Sequence, residues 1–308
     1  MHTPQSGIFA LGTASHAYME FRRRPGADPA ALVRAVADLR GPQATTGGLN
    51  LVSGFAPSLW RRLGGHLPDD VSGFDRPVVG PDGFVMPDTQ QDLWLWVAGH
   101  AYDKVFDTSR EAINGLSPLA NLADEVVGWT YRDNRDLTGF IDGTENPGLS
   151  EAAEVAIITP ETPGAGGSIV LVQKWVHRVA DWEGLSVEEQ ERVMGRTKLE
   201  SLELADDVRP ATSHVSRTVL EENGRELEIF RRNTPFGSAV EHGTMFVGFS
   251  VEQRRLHRML ERMVGLGDGV RDALTHFATP VTGAYYFVPS VEALPAFAAR
   301  PMCPHSPA

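Results

Sequence analysis

The string GFIDGTENP at residues 139–147 is the most distinctive in the chain. Taken alone, its Asp142-Gly143 dipeptide is typical of a tight turn, because aspartate can accept hydrogen bonds from its own backbone. His214 and Arg231 add an imidazole, which can bind a metal, and a guanidinium, which stays protonated at any working pH. Single residues of these types are more often structural than reactive, so their context must decide.

Ten histidines occur in the chain, and an arbitrary histidine is more often a surface or core residue than a ligand. His214 differs from the others because it begins a predicted hairpin whose return strand carries Arg231. We interpret eight of the others as structural: His2, His16, His66, His100, His177, His242, His257 and His305.

Five short strings occur in a specific order along the chain. They are GFIDGTENP at 139–147, GRTK at 195–198, SHVSR at 213–217, RRNTPFG at 231–237 and VTGAYYF at 281–287. Together they resemble the dye-decolorizing (DyP-type) haem peroxidases, and the first string is similar to the form in the bacterial type B branch. The resemblance extends over about residues 6–289. Five strings in the right order are far more specific than any one of them.

That resemblance implies one haem b per chain, held mainly by the C-terminal half. Asp142, Arg231 and Asn233 match the family's distal aspartate, arginine and asparagine, and His214 matches its axial iron ligand. The neighbouring Arg232 should point to the other face of its strand. The implied activity is oxidation of organic reductants, such as dyes and phenols, by H2O2 through a ferryl intermediate.

The chemistry fits these residue types. Cleavage of the O–O bond requires a proton to move from one oxygen to the other, so Asp142 is the expected proton shuttle. Arg231 is expected to stabilise negative charge on the departing oxygen. Asn233 is expected to orient peroxide or water.

Further residues are expected around the cofactor. Asp272 occupies the position of a carboxylate behind the axial histidine, which would increase electron donation to the iron. His276 lies one helical turn away, so it is an alternative contact. Gly143 and Thr144 are expected to bind the cofactor, and Arg196 is expected to pair with a propionate. A structural surface arginine is an equally good interpretation of Arg196.

Three glutamates could gather at the haem edge as an acidic patch for a metal ion or a cationic reductant. They are Glu145, Glu203 and Glu226. Solvated surface carboxylates are the preferred interpretation.

The overall composition limits the class of partner. The net charge of -12 disfavours nucleic acids and anionic membranes, which leaves small molecules, here hydrogen peroxide and organic reductants. The only cysteine, Cys303, cannot form an intrachain disulfide. We find no signal peptide, twin-arginine signal or apolar membrane span, so we expect a cytoplasmic protein. The resemblance implies a homo-oligomer.

The pattern of elements predicts an α+β fold. Two successive strand-helix-hairpin-helix-strand blocks indicate two ferredoxin-like domains with antiparallel sheets, and the family resemblance implies a dimeric α+β barrel. The domains are residues 1–150, which carry the distal string, and residues 151–308, which bind haem. They join at an expected exposed linker over residues 147–167.

Local signals predict individual elements. Helices are expected at 29–39, with Asp28 as N-cap, and at 256–264. Two capping boxes, Thr108-x-x-Glu111 and Ser186-x-x-Glu189, predict the starts of two more helices. Extended segments are expected at 7–21, 49–55, 84–86, 92–97, 121–131, 168–176, 244–251 and 285–288.

Residues 214–230 are predicted to form a hairpin. Its two-residue Asn223-Gly224 turn pairs residue 222 with residue 225. The ladder must end near Ser216, because a haem cannot fit between residues paired across a sheet.

Two other functions remain open at this point. A haem carrier or iron-releasing haem protein would need His214 but not the distal set. A non-haem α+β barrel would bind another small molecule or serve in assembly.

Overall fold

The computed structural model describes residues 2–39 and 48–298, so Cys303 lies outside the described residues. The strands are β1 Ser15–Arg23, β2 Asn50–Phe55, β3 Val78–Val79, β4 Val85–Met86, β5 Leu93–Gly99, β6 Ala120–Trp129, β7 Ser168–His177, β8 Glu221–Glu222, β9 Arg225–Glu226, β10 Phe230–Arg231, β11 Thr234–Gly237, β12 His242–Ser250, β13 Ala278–Pro280 and β14 Ala284–Val288. The α-helices are α1 Pro29–Asp38, α2 Pro57–Arg62, α3 Tyr102–Leu116, α4 Leu149–Ala156, α5 Val179–Glu183, α6 Val187–Met194, α7 His214–Thr218, α8 Gln253–Met263 and α9 Ala293–Ala298. Short 3-10 helices occupy Ser6–Phe9 and Ala273–His276.

Eight strands form a closed antiparallel sheet. Their order is β12-β11-β6-β1-β5-β2-β14-β7, and β7 pairs with β12 to complete the circle. Two seams in this barrel are thin, since single pairs, Phe236 with Gly128 and Phe287 with Phe55, join β11 to β6 and β14 to β2. The barrel therefore consists of two four-stranded sheets joined edge to edge.

Each four-stranded sheet has the ferredoxin-like arrangement. In both, the spatial order is the fourth strand, the first, the third and the second, counted along the chain. α1 and α3 connect the strands of the first sheet, and α8 follows the third strand of the second. The predicted α+β barrel is confirmed, while the domain boundary at residue 150 stays a prediction.

Most of the helix caps predicted from the sequence are confirmed by the structure. Asp28 caps α1 by accepting from Ala30 N and Ala31 N, and Ser186 and Glu189 form a reciprocal capping box at α6. The capping box at Thr108 and Glu111 is wrong, because both residues lie inside α3. Among the described residues, no helix is both long and apolar enough to cross a membrane.

The predicted hairpin over residues 214–230 is wrong over most of its length. Only β8 and β9 pair, with Glu222 opposite Arg225 as the turn predicted. Asn223 and Gly224 both have positive φ, as a tight two-residue turn requires. His214 instead begins α7, because the Ser213 hydroxyl accepts from Ser216 N and caps a helix there.

Two other expectations need correction. The stretch at 7–21 is not continuously extended, because a 3-10 helix at Ser6–Phe9 precedes β1. The region 147–167 is not simply an exposed linker, since it contains α4, whose Ala152, Val155 and Ala156 are buried. Apolar spacing within α4 thus outweighs the surrounding prolines and glycines.

The closed sheet separates two hydrophobic clusters. Ala17, Met19 and Phe21 of β1 join the cluster that packs against the helices, whereas Tyr18 of the same strand joins the other cluster, with Trp94 and others. Alternation along the strand explains this division, because successive side chains point to opposite faces. The second cluster therefore fills the barrel interior and extends to Ala152, Val155 and Ala156 of α4, whereas α1, α3 and α8 cover the outside.

Helix α8 packs on the outside of the barrel through buried apolar residues, among them Leu256 and Leu260. We expect Leu260→Ala to lower the free energy of unfolding by about 2–5 kcal/mol, because it leaves a cavity. Urea denaturation measures this change. The matched control is Leu202→Ala at an exposed position, expected to stay within about 0.5 kcal/mol of the wild type. Equal effects at both positions would contradict this packing.

Candidate functional site

A large cavity lies on the outer face of the second sheet, with an empty volume of about 1140 Å³ that is partly open to solvent. The sheet, the loop at residues 139–146, α7 and α8 surround it. Its lining is mainly apolar and includes Phe140, Ile141, Trp175, Phe246, Met259 and Met263. A few polar side chains reach into the same space, which is typical of a cofactor site.

His214 lies on one wall of this cavity, at the first residue of α7. Its Nδ1 is 2.7 Å from Oδ2 of Asp272, a fully buried residue that caps the second 3-10 helix. The other carboxylate oxygen accepts from Leu274 N at 2.9 Å. A carboxylate acceptor fixes the proton on Nδ1, so Nε2 is the nitrogen left to bind a metal. His276, the alternative, takes no part in these hydrogen bonds.

Asp142, Asn233 and Arg231 lie together on another wall. Asn233 donates from Nδ2 to Oδ1 of Asp142 at 3.2 Å, and its Oδ1 accepts from Val247 N at 3.1 Å. The guanidinium of Arg231 is buried, and its Nε has no hydrogen-bond partner among the described residues. Most buried donors are hydrogen-bonded, so this nitrogen has the capacity to bind a further group.

Burial dominates the electrostatics of this wall. Desolvation and the nearby Asp136 carboxylate raise the pKa of Asp142 to about 6, against the opposing effects of Arg231 and Asn233. Burial lowers the pKa of Arg231, while Asp142 and Glu226 act to raise it. An arginine remains protonated nevertheless. The wall thus holds a fixed cation beside a carboxyl group that titrates near neutrality.

A second buried polar cluster, which no sequence motif predicted, lies in the cavity wall. The hydroxyl of Thr244 donates to Asp136 and lies 3.2 Å from Nε2 of His177. Burial raises the pKa of Asp136, but His177 and the hydrogen bonds from Thr244 and Thr138 lower it by more. Asp136-x-Thr138 is typical of a turn, so no local signal indicated the cavity. His177, interpreted as structural, lines it as well.

Arg196 lies at the cavity and forms ion pairs with Glu145 and, at 2.9 Å, with Glu203. Glu226 is placed near both Glu203 and Arg231, and burial and Glu228 raise its pKa. Across residues 2–39 and 48–298, no group of three or more His, Cys, Asp or Glu side chains could hold a metal ion. Arg196 thus neutralises two of the three glutamates, Glu145 and Glu203.

The remaining predicted residues occupy distinct places. Gly143 and Thr144 line the cavity, and the backbone of Gly143 hydrogen-bonds to Asp142. Arg232 points away from Arg231, as expected: its guanidinium lies 5.2 Å above the Trp96 ring and donates to the carbonyls of Ile8 and Ala10.

Comparisons with known proteins show the family to which this chain belongs. The family model described as "Dyp-type peroxidase, C-terminal" matches residues 133–293. The dye-decolorizing peroxidase of Rhodococcus erythropolis is 40% identical over 275 residues, which cover 87% of this chain and 79% of the relative. The chain belongs to the DyP-type peroxidases. This is a family of haem peroxidases.

Other DyP-type proteins are similar over nearly the whole chain. The dye-decolorizing peroxidase of Mycobacterium tuberculosis is 39% identical over 85% of this chain and 78% of the relative. A variant of DypB from Rhodococcus jostii, solved in complex with haem, has a TM-score of 0.88 and 36% identity, covering 95% of this chain and 97% of its own. A dye-decolorizing protein from V. cholerae has a TM-score of 0.85 and 33% identity, with coverage of 94% and 98%.

The charges around Asp142 in this DyP-type peroxidase predict how its titration responds to substitution. The carboxyl should titrate near pH 6. Asp136→Asn should lower this pKa, because it removes a neighbouring anion, whereas Arg231→Leu should raise it, because it removes a cation. Carbon-13 NMR of labelled aspartate measures the midpoint, with Asp142→Asn identifying the resonance. A midpoint unchanged in both variants would refute this description of the wall.

Proposed function

We propose that this chain binds one haem b in the cavity and uses H2O2 to oxidise small organic reductants, such as dyes and phenols. One observation carries the proposal. An imidazole held by a buried carboxylate and an Asp-Asn-Arg group line the same apolar cavity. A cytoplasmic location and a homo-oligomer remain predictions from the sequence.

The residues present fit a haem. Nε2 of His214 is available as an axial ligand, since Nδ1 is engaged by Asp272. Apolar side chains such as Trp175, Phe246 and Met259 suit the faces of a porphyrin. The unpartnered Nε of Arg231 is a donor for a ligand on the distal side. When bound, haem supplies the two electrons that reduce peroxide and regains them from the reductants.

Asp142 is the proposed proton shuttle. With a pKa of about 6, part of its population is ionised near neutral pH and can accept a proton from peroxide, directly or through water. The protonated form can then return that proton to the departing oxygen. Asn233 holds one carboxylate oxygen in place during both transfers.

Arg231 is the proposed electrostatic stabiliser. Its buried guanidinium carries a fixed positive charge close to the Asp142 carboxylate. At a largely buried position, such a charge stabilises an oxyanion more strongly than it would at the surface. The guanidinium therefore stabilises the negative charge on the departing oxygen before that oxygen is protonated.

Asp272 and Arg196 have proposed supporting roles. Asp272 orients the His214 ring and increases the electron density on Nε2 through the hydrogen bond at Nδ1. Arg196 would neutralise a haem propionate at the cavity. Its guanidinium has five donors, so it can bind the propionate in addition to Glu145 or Glu203.

The axial role of His214 predicts spectral changes. His214→Ala should weaken haem binding or change the coordination of the iron, measured by titration of apoprotein with haem at the Soret band. Asp272→Asn keeps the shape but loses the negative charge, and should reduce haem affinity by about 10–100-fold. The matched control is His66→Ala, outside the cavity. An unaltered spectrum in His214→Ala would contradict the assignment of His214 as the iron ligand.

The distal role of Arg231 predicts a kinetic change. Arg231→Leu should keep haem bound but slow the reaction with H2O2 by about 10²–10³-fold, because one preorganised charge is lost. Stopped-flow absorbance measures this rate. Arg34→Leu, on α1, is the control and should react normally. A normal rate in Arg231→Leu, with haem retained, would contradict this role of Arg231. A wild type that binds haem but does not oxidise reductants with H2O2 would indicate a haem carrier.

A further inference from the structure

Arg231 lies on the short strand β10, at one end of the sheet order. Opposite it on β12 is Gly248, and Arg232 N donates to Val247 O at 2.8 Å. In an antiparallel ladder, successive residues direct their backbone groups to alternate sides. The N–H and C=O of Arg231 therefore face away from β12, where no further strand is paired within the described residues.

A single side chain satisfies both of these backbone groups. Asn146 donates from Nδ2 to the Arg231 carbonyl at 2.8 Å, and its Oδ1 accepts from the Arg231 N–H at 2.8 Å. The Asn146 carboxamide thus makes the two hydrogen bonds that the backbone of a residue in a neighbouring strand would make. This contact joins residues 85 positions apart in the sequence.

Asn146 belongs to the loop that carries Asp142. Its own N–H donates to the carbonyl of Gly143 at 3.0 Å, which closes a turn directly after Asp142. Gly143 has φ +76, and a Cβ there would lie 3.1 Å from the Asn146 carboxamide. The turn therefore requires glycine both for its conformation and for the position of the Asn146 side chain.

Asp142 and Arg231 interact through charge and share no hydrogen bond in the described structure. The space between them, where peroxide would bind, must therefore be set by the backbones that carry them. Asn233 contacts the Asp142 carboxylate, but among the residues that the structure describes only Asn146 joins the Asp142 loop to the backbone of Arg231 itself. Errors of about 1 Å in such positions can reduce a rate by about 10²-fold.

We propose that Asn146 is a positioning residue that sets the separation of the Asp142 carboxylate and the Arg231 guanidinium. The inference rests on the proposed peroxidase function and goes beyond it, because Asn146 lies in a cleft next to the haem cavity and does not line the cavity. Asparagine suits this role because its carboxamide both donates and accepts. Aspartate has the same shape but would place an oxygen against the Arg231 carbonyl.

The test uses Asn146→Asp and Asn146→Leu in the haem-loaded protein. Both should keep the Soret band, and both should slow the reaction with H2O2 by about 10–100-fold. Asn146→Ser, too short to bridge both backbone groups, provides the same comparison if Asn146→Leu does not fold. Asn50→Asp, at a buried site in β2, is the control for general destabilisation and should react at the normal rate.

Two further measurements separate positioning from a general structural effect. Hydrogen exchange of the Arg231 amide should accelerate by about tenfold or more in Asn146→Leu, while the amides of β7 keep their protection. In an Arg231→Leu background, Asn146→Leu should slow the reaction by less than about twofold further, since the group it positions is already lost.

The outcomes that overturn the inference are distinct from those that overturn the proposed function. If Arg231→Leu slows the reaction and the Asn146 variants do not, only the positioning role is wrong. A full additional loss in the double variant, or unchanged exchange at Arg231, also refutes it. If Arg231→Leu itself reacts normally, the distal assignment is wrong and the role of Asn146 is lost with it.

Discussion

Buried charge around the cavity has to be compensated, and this requirement decides which side chains meet there. Several ionisable groups are wholly or partly buried at the cavity wall, where an unpaired charge is costly. Hydrogen bonds compensate two of the carboxylates. Asp272 is bonded to His214 and to Leu274 N, and Asp136 is bonded to Thr244 and to Thr138 N. Asp142 has less compensation, which is why its pKa is raised to about 6. Incomplete compensation at one carboxyl makes that group suitable for proton transfer near neutral pH.

The closed sheet brings the compensating groups together. β12 is central, because it pairs with β7, β10 and β11, and its Val247 N–H binds the Asn233 side chain. The distal loop reaches the same region from the other half of the sequence and binds the Arg231 backbone through Asn146. The wall that carries Arg231 and Asn233 is therefore positioned by hydrogen bonds between asparagine side chains and the backbone, and the His214 wall by the Asp272 carboxylate.

Aromatic packing in the interior joins the two halves of the barrel. The interior is filled by large aromatic rings, among them Trp94, Trp96 and Tyr286, which stack across both sheets. These contacts join the halves despite the single strand pairs at the seams. The cavity proposed to bind haem lies outside this packed interior, on the second sheet, so it does not interrupt the core of the barrel.

The amino-acid sequence alone was enough to predict the family, the fold class and the Asn223-Gly224 turn, because ordered motifs, turn residues and caps such as Asp28 act through neighbouring residues. The site residues predicted from the same motifs remain a proposal, although the structure places His214, Asp142 and Arg231 around one cavity. Tertiary contacts were needed to see that His214 begins a helix, that Asp136 lines the cavity and that Asn146 binds Arg231. These features depend on which distant segments meet and in what register, and that is fixed only when the whole sheet closes.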